Sequence, residues 1–103
     1  MAKFSLKADP TFAAKVPFPI AGGEPVDVLL TFKHRTKAAL DEFIKTREAH
    51  TDVESFADMV AGWELEDPFT PANIETLLEN HIGVALATYK VYVDQLVQHR
   101  TKN

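Results

Sequence analysis

The chain has 103 residues, of which 46% are hydrophobic and 25% charged, no cysteine, and a formal charge of −4. That length suits one domain with a single modest core, and the composition suits a folded chain rather than a disordered one. Lack of cysteine removes disulfides, thiolate nucleophiles and cysteine metal cages, and neither an export core in MAKFSLKADP nor a run near the roughly 20 apolar residues of a membrane span is present, so a soluble intracellular protein is expected.

The N-terminal third reads as a β-hairpin. Phe12, Ala14, Val16, Phe18 and Ile20 alternate, as do Val26, Val28, Leu30 and Phe32 after the turn AGGEP, so each strand has one apolar face. A lone hairpin is marginal in water, and the segments that follow must cover it. Pro17 and Pro19 share strand parity, which puts their missing N–H groups on one side, expected to be the free edge. Gly22-Gly23 is read as the hairpin turn rather than a phosphate loop, because Glu24-Pro25 follows where a Lys-Ser/Thr and a helix start would be needed.

From Thr36 the period lengthens to about 3.6. Leu40, Phe43, Ile44 and the stem of Arg47 share one helical face. Thr51-Asp52-Val53-Glu54 matches a capping box opening a short helix with Val53, Phe56, Ala57 and Val60 inward. The pattern breaks at Gly62. Trp63 and Leu65 then alternate with Glu64 and Glu66, as in a connector with two apolar anchors, until Asp67-Pro68 ends it. Phe69-Thr70-Pro71 reads as the next helix start, with Thr70 as cap, Pro71 in the first helical position and Phe69 placed to staple onto Ile74. That helix uses Ile74, Leu77 and Leu78 and stops near Asn80. A last helix is expected from about Val84 to His99, with a stripe of Ala85, Leu86, Tyr89, Tyr92, Val93 and Leu96 preceded by Ile82, and with Arg100 and Lys102 in a frayed basic tail. The expected fold is α+β: one domain, 1–103, with a hairpin and junction over 1–35 packed on a bundle of about four helices within 36–100.

Candidate chemistry is sparse. His34, His50, His81 and His99 are separated by 16, 31 and 18 residues, and none has the i, i+4 spacing of a helical metal site. Ser5 and Ser55 lie in no nucleophile elbow, and Glu64, Glu66 and Asp67 lack calcium-loop spacing. Residues 41–79 carry two Lys/Arg against eleven Asp/Glu, a local balance of −9 that repels phosphate backbones. The one basic cluster, Lys33-His34-Arg35-Thr36-Lys37, is read as a polar junction whose charges pair with the acidic middle helices. No catalytic residue, cofactor or metal is expected.

The order of these elements, TFKHRTKAALDEFI after a hairpin, a Gly-Trp connector, an FTPAN helix start and a Tyr-containing last helix with a basic tail, resembles the small tail-assembly chaperones of long-tailed bacteriophages and prophages. The resemblance spans nearly the whole chain. It implies a non-enzymatic protein that binds the tape-measure protein before the tail tube forms round it, with the tail-tube protein as a second candidate partner and self-association left open. It also implies residence in the cytoplasm of the bacterial host, absence from the mature virion, no membrane partner and no nucleic acid. Tyr89, Tyr92 and Leu96 on the last helix, with Trp63 supporting, are the candidate partner-binding residues. The competing readings are a structural tail or connector subunit, and a small regulator touching nucleic acid through Lys33, Arg35 and Lys37.

Overall fold

A computed structural model describes residues 4–97. Two strands, β1 (Thr11–Phe18) and β2 (Val26–Lys33), precede helix α1 (Lys37–Thr46), a 3-10 turn (Arg47–Ala49) and helix α2 (Asp52–Met59). Strand β3 (Val60–Trp63), α3 (Pro71–Asn80) and α4 (Val84–Val97) complete the order. The expected α+β class and the hairpin are present. The sheet has three strands rather than two, antiparallel in the order β1-β2-β3. The expected end of α4 at His99 and the basic Arg100 and Lys102 lie outside the described residues.

Even-numbered positions of the hairpin, Ala14, Val16 and Phe18 of β1 and Val28, Leu30 and Phe32 of β2, are buried, while Ala13, Lys15 and Thr31 on the other face are exposed. One face therefore carries the helices and the other meets solvent, as strict alternation requires. Ile20 departs from expectation. The strand ends at Phe18, the Ile20 carbonyl accepts from the Gly23 N–H at 3.0 Å, and Gly22 takes φ 75°, so Ile20 belongs to the turn and its side chain is exposed. The His34 N–H donates to the Pro10 carbonyl at 2.9 Å, which makes the even positions of β1 the hydrogen-bonded pairs. Odd positions then turn their N–H outward, so Pro17 lies on the free edge, where a missing donor costs nothing.

The connector expected after α2 is partly strand, and Val60, expected inside the helix, is the first residue of β3. Phe32 pairs with Val60 but Thr31 pairs with Gly62, leaving Ala61 as the extra residue of a β-bulge. The bulge changes the side-chain parity. Without it Val60 and Trp63 would face opposite sides, whereas with it Trp63 sits opposite Leu30, on the helix-covered face with Val60.

Local capping follows the sequence signals. Thr51 and Glu54 form the reciprocal capping box, Thr36 accepts from the Ala39 N–H at 3.1 Å, and Thr70 accepts from the Asn73 N–H at 3.2 Å with Pro71 in the first turn. On α1, Leu40 and Phe43 are buried but Ile44 is exposed. The inner line of α4 is Val84, Thr88 and Tyr92, one turn apart, continued by Leu96. The expected stripe through Leu86 and Tyr89 is rotated outward from it. The helix is apolar on most sides, so periodicity alone fixed its inner face poorly.

Candidate partner-binding surface

Two ends of the hairpin organise the surface. At the base, where β2 runs into α1, the described residues form an aromatic knot around Tyr92. Its ring stacks at 6.2 Å from Phe12, lies tilted at 5.3 Å from Phe32 and meets Phe43 edge-on at 6.0 Å. The Tyr92 hydroxyl donates to the Lys33 carbonyl at 2.7 Å and accepts from Arg35 Nη1 at 2.8 Å. By strand parity the Lys33 carbonyl points toward β3, but the β3 ladder stops at Phe32, so the tyrosine satisfies an acceptor that no strand reaches. The same Arg35 nitrogen donates to the Asp58 carbonyl at 2.8 Å, one of the last carbonyls of α2 without a helical partner. The guanidinium lies 4.4 Å over the Phe43 ring. Arg35 thus ties together β2, α1, α2 and α4. The sequence placed it in a junction pairing with carboxylates; its partners are a phenol, a carbonyl and an aromatic face.

The consequence for the candidate residues is direct. Tyr92 has 0% of its surface exposed, so it cannot itself touch a docked chain, and burial raises its phenol above the ordinary value against the lowering pull of Arg35. Tyr89 is half-buried beside Phe43 at 6.4 Å, with the Arg47 guanidinium 3.8 Å over its outer ring face. Leu96 is half-buried and lines a cleft of about 390 Å³ with Leu40, Asp41 and Val97. These α4 residues share a flank; Trp63 stands apart from them.

Trp63 belongs to the second region, at the hairpin tip. Its ring meets Phe69 edge-on at 5.0 Å and Phe56 at 6.3 Å, and its indole N–H donates to the Asp67 carbonyl at 2.8 Å. It lines a cleft of about 240 Å³ with Leu65, Asp67, Thr76, Leu77 and His81. A second, more apolar cleft of about 290 Å³ adjoins it, walled by Phe18, Ile20, Val26 and Val28 and sharing Leu65, Leu77 and His81. Ile20, Val26, Ile82 and Leu86 are all exposed at this end. Neither Ile20 nor Val26 was singled out for the surface, because strand alternation assigned both to the core. Their position beside the turn, where the sheet outruns its helical cover, is the signal that separates them from Val28.

Among the described residues no group of three or more His, Asp or Glu is placed to hold a metal ion, and no helix is long and apolar enough to cross a membrane.

Residues 1–103, the whole chain, match the phage tail assembly chaperone family, and the chain belongs to that family. Neither a curated protein nor a solved structure gives a significant match.

Proposed function

We propose that this chain is a non-enzymatic, single-domain chaperone that holds the tape-measure protein of its phage or prophage in the host cytoplasm until tail-tube subunits displace it. The observation that carries the reading is the family match over the whole chain. The physical task is to cover apolar stripes of a long helical client, which would otherwise aggregate, with an affinity low enough for displacement. The exposed apolar side chains fit that task better than any catalytic arrangement.

The client surface is read along the outer flank of α4, where Tyr89 and Leu96 are partly accessible and Leu86 is exposed. Tyr92 backs that flank from inside and fixes the helix on the sheet. Trp63 contributes from the tip cleft.

Co-expression with the cognate tape-measure protein tests the reading. The expected result is a soluble complex that co-purifies, and mature virions that lack this chain. A chain that neither binds nor solubilises the tape measure, yet is stoichiometric in virions, is a structural tail subunit instead. Leu86→Asp with Leu96→Asp should weaken capture at least about tenfold if the α4 flank is the contact, because unpaired carboxylates are costly at an apolar interface.

A further inference from the structure

Two features of the molecule complement one another. The tip groove has an apolar floor of Phe18, Val28, Leu65 and Leu77 and no lysine or arginine in its lining. The segments that build it, 16–32 and 48–89, contain no lysine or arginine, Asp67 lines it, and Glu24 lies in the turn between two of its walls, Ile20 and Val26. At the other end, before β1, Phe4 is 87% exposed and Leu6 100% exposed, and Lys3 and Lys7 flank them in the sequence. In an extended arm Phe4 and Leu6 point the same way, roughly 7 Å apart, one for each of the two adjoining clefts, and the positive charge of Lys7 suits a groove whose lining includes Asp67 and no lysine or arginine.

A chain cannot make this contact with itself. Pro10 is pinned opposite His34, so the free arm starts at Asp9. From Pro10 the nearest part of the groove floor, Val28 opposite Val16, lies about 20 Å away along the strand, whereas full extension carries Leu6 at most about 14 Å, so one chain cannot seat Leu6 together with Phe4 in its own groove. We propose that the arm Phe4–Lys7 of one copy docks in the tip groove of a second copy, so that the chaperone self-associates by arm exchange. This does not depend on the identity of the client.

Sedimentation velocity of the full chain from about 10 μM to 1 mM tests it, a range suited to a contact of two anchor side chains. The expected result is a mass rising with concentration above the 11.5 kDa monomer. Phe4→Ser with Leu6→Ser, and separately Val26→Asp, should each weaken association at least about tenfold. Lys7→Glu should weaken it about threefold at low salt, with the difference vanishing near 0.5 M salt. A peptide of residues 1–10, added to the Phe4→Ser/Leu6→Ser chain, should shift the emission of Trp63, the only tryptophan, and Val26→Asp should abolish that shift. Near-ultraviolet dichroism checks that Val26→Asp is folded, and Ile20→Ser serves in its place if it is not.

A wild-type chain that stays monomeric throughout overturns the proposal, as does association indifferent to the arm variant, or a peptide response that survives both groove variants. A chain that associates through arm and groove yet fails to hold the tape measure leaves arm exchange standing and removes the client reading. Retention of the tape measure by a strictly monomeric chain does the reverse.

Discussion

The base and the tip of the hairpin are built from similar residues put to opposite use. At the base, Phe12, Phe32 and Phe43 pack around Tyr92, Arg35 lies against the Phe43 and Tyr92 rings, and the Lys33 and Asp58 carbonyls and the tyrosine hydroxyl each have a partner. At the tip, Ile20, Val26 and Ile82 remain exposed around open clefts lined by Asp67 and by no lysine or arginine. A buried polar knot stabilises only when complete, so the base is specified by folding. Apolar surface left open beside unpaired charge gains nothing for the monomer, so the tip is better explained by what it meets.

The sharpest break of this contrast is removal of the knot's centre. Tyr92→Ala should cost about 3–5 kcal/mol, since it empties the space between three phenylalanine rings, and urea unfolding would measure it. Tyr92→Phe keeps the ring but strips a partner from Arg35 and from the Lys33 carbonyl, for about 1–3 kcal/mol. A cost near zero for the phenylalanine variant would mean that the base does not depend on its polar bridges.

The tip is not free of comparable constraint. It has one, beneath the exposed surface: a Cβ on Gly83 would stand 2.7 Å from Pro19 Cγ, where α4 begins against the hairpin. Gly83→Ala should therefore destabilise by about 1–3 kcal/mol, and Pro19→Ala should recover most of that in a double-mutant cycle. Independent, additive costs would show that α4 shifts freely at this end.

How far the two ends could be read beforehand differs for the same reason. Hairpin alternation and the caps at Thr36, Thr51 and Thr70 are local, made by residues within three positions, and the sequence showed the hairpin and the Thr51 and Thr70 starts directly. The bridge from Arg35 to Tyr92 spans 57 positions and depends on where β3 ends, which no periodicity records. The bulge at Ala61 was equally hidden, because an extra residue that restores Trp63 to the inner face looks like a break in alternation. On α4 the error had another source. Thr88 occupies the fully buried line while Leu86 is exposed, reversing what hydrophobicity assigns. Of the four candidate contact residues, Tyr89, Leu96 and Trp63 keep some accessible surface, whereas Tyr92, expected as a contact, is fully buried.

A smaller effect separates the ends by pH. Tyr92 holds its proton above the ordinary tyrosine value of 10.0 because burial disfavours the phenolate more than Arg35 favours it. In the unfolded chain the phenol titrates near its ordinary value. Its contribution is therefore fully present below about pH 10 and is lost as pH rises from there through the higher folded value, since the native state retains a proton that the unfolded state gives up. Wild type should lose stability over that window faster than Tyr92→Phe, in paired urea titrations. Lysine deprotonation is common to both proteins and cancels. Parallel losses would place the phenol in contact with water.

The smallest expected effect tests the tip itself. If Ile20 and Val26 serve a partner rather than the fold, removing their apolar ends should leave the monomer almost untouched. Ile20 lies in the turn with 41% of its surface exposed, and Val26 begins β2 with 49% exposed, so neither substitution opens a cavity. Ile20→Ser and Val26→Thr, the second retaining the branched carbon that strands favour, should each change unfolding free energy by no more than about 0.5 kcal/mol. The comparison with Val28→Thr decides the matter, because Val28 is its inward neighbour two positions along the same strand face and is buried. Placing a hydroxyl there without a partner should cost about 1–3 kcal/mol. A large loss at Ile20 or Val26 would show that the tip is held shut in solution and that its clefts are part of the core. A small loss there, with a large one at Val28, would put the boundary between fold and contact surface between Val26 and Val28, one turn of the pleat from the end of the sheet.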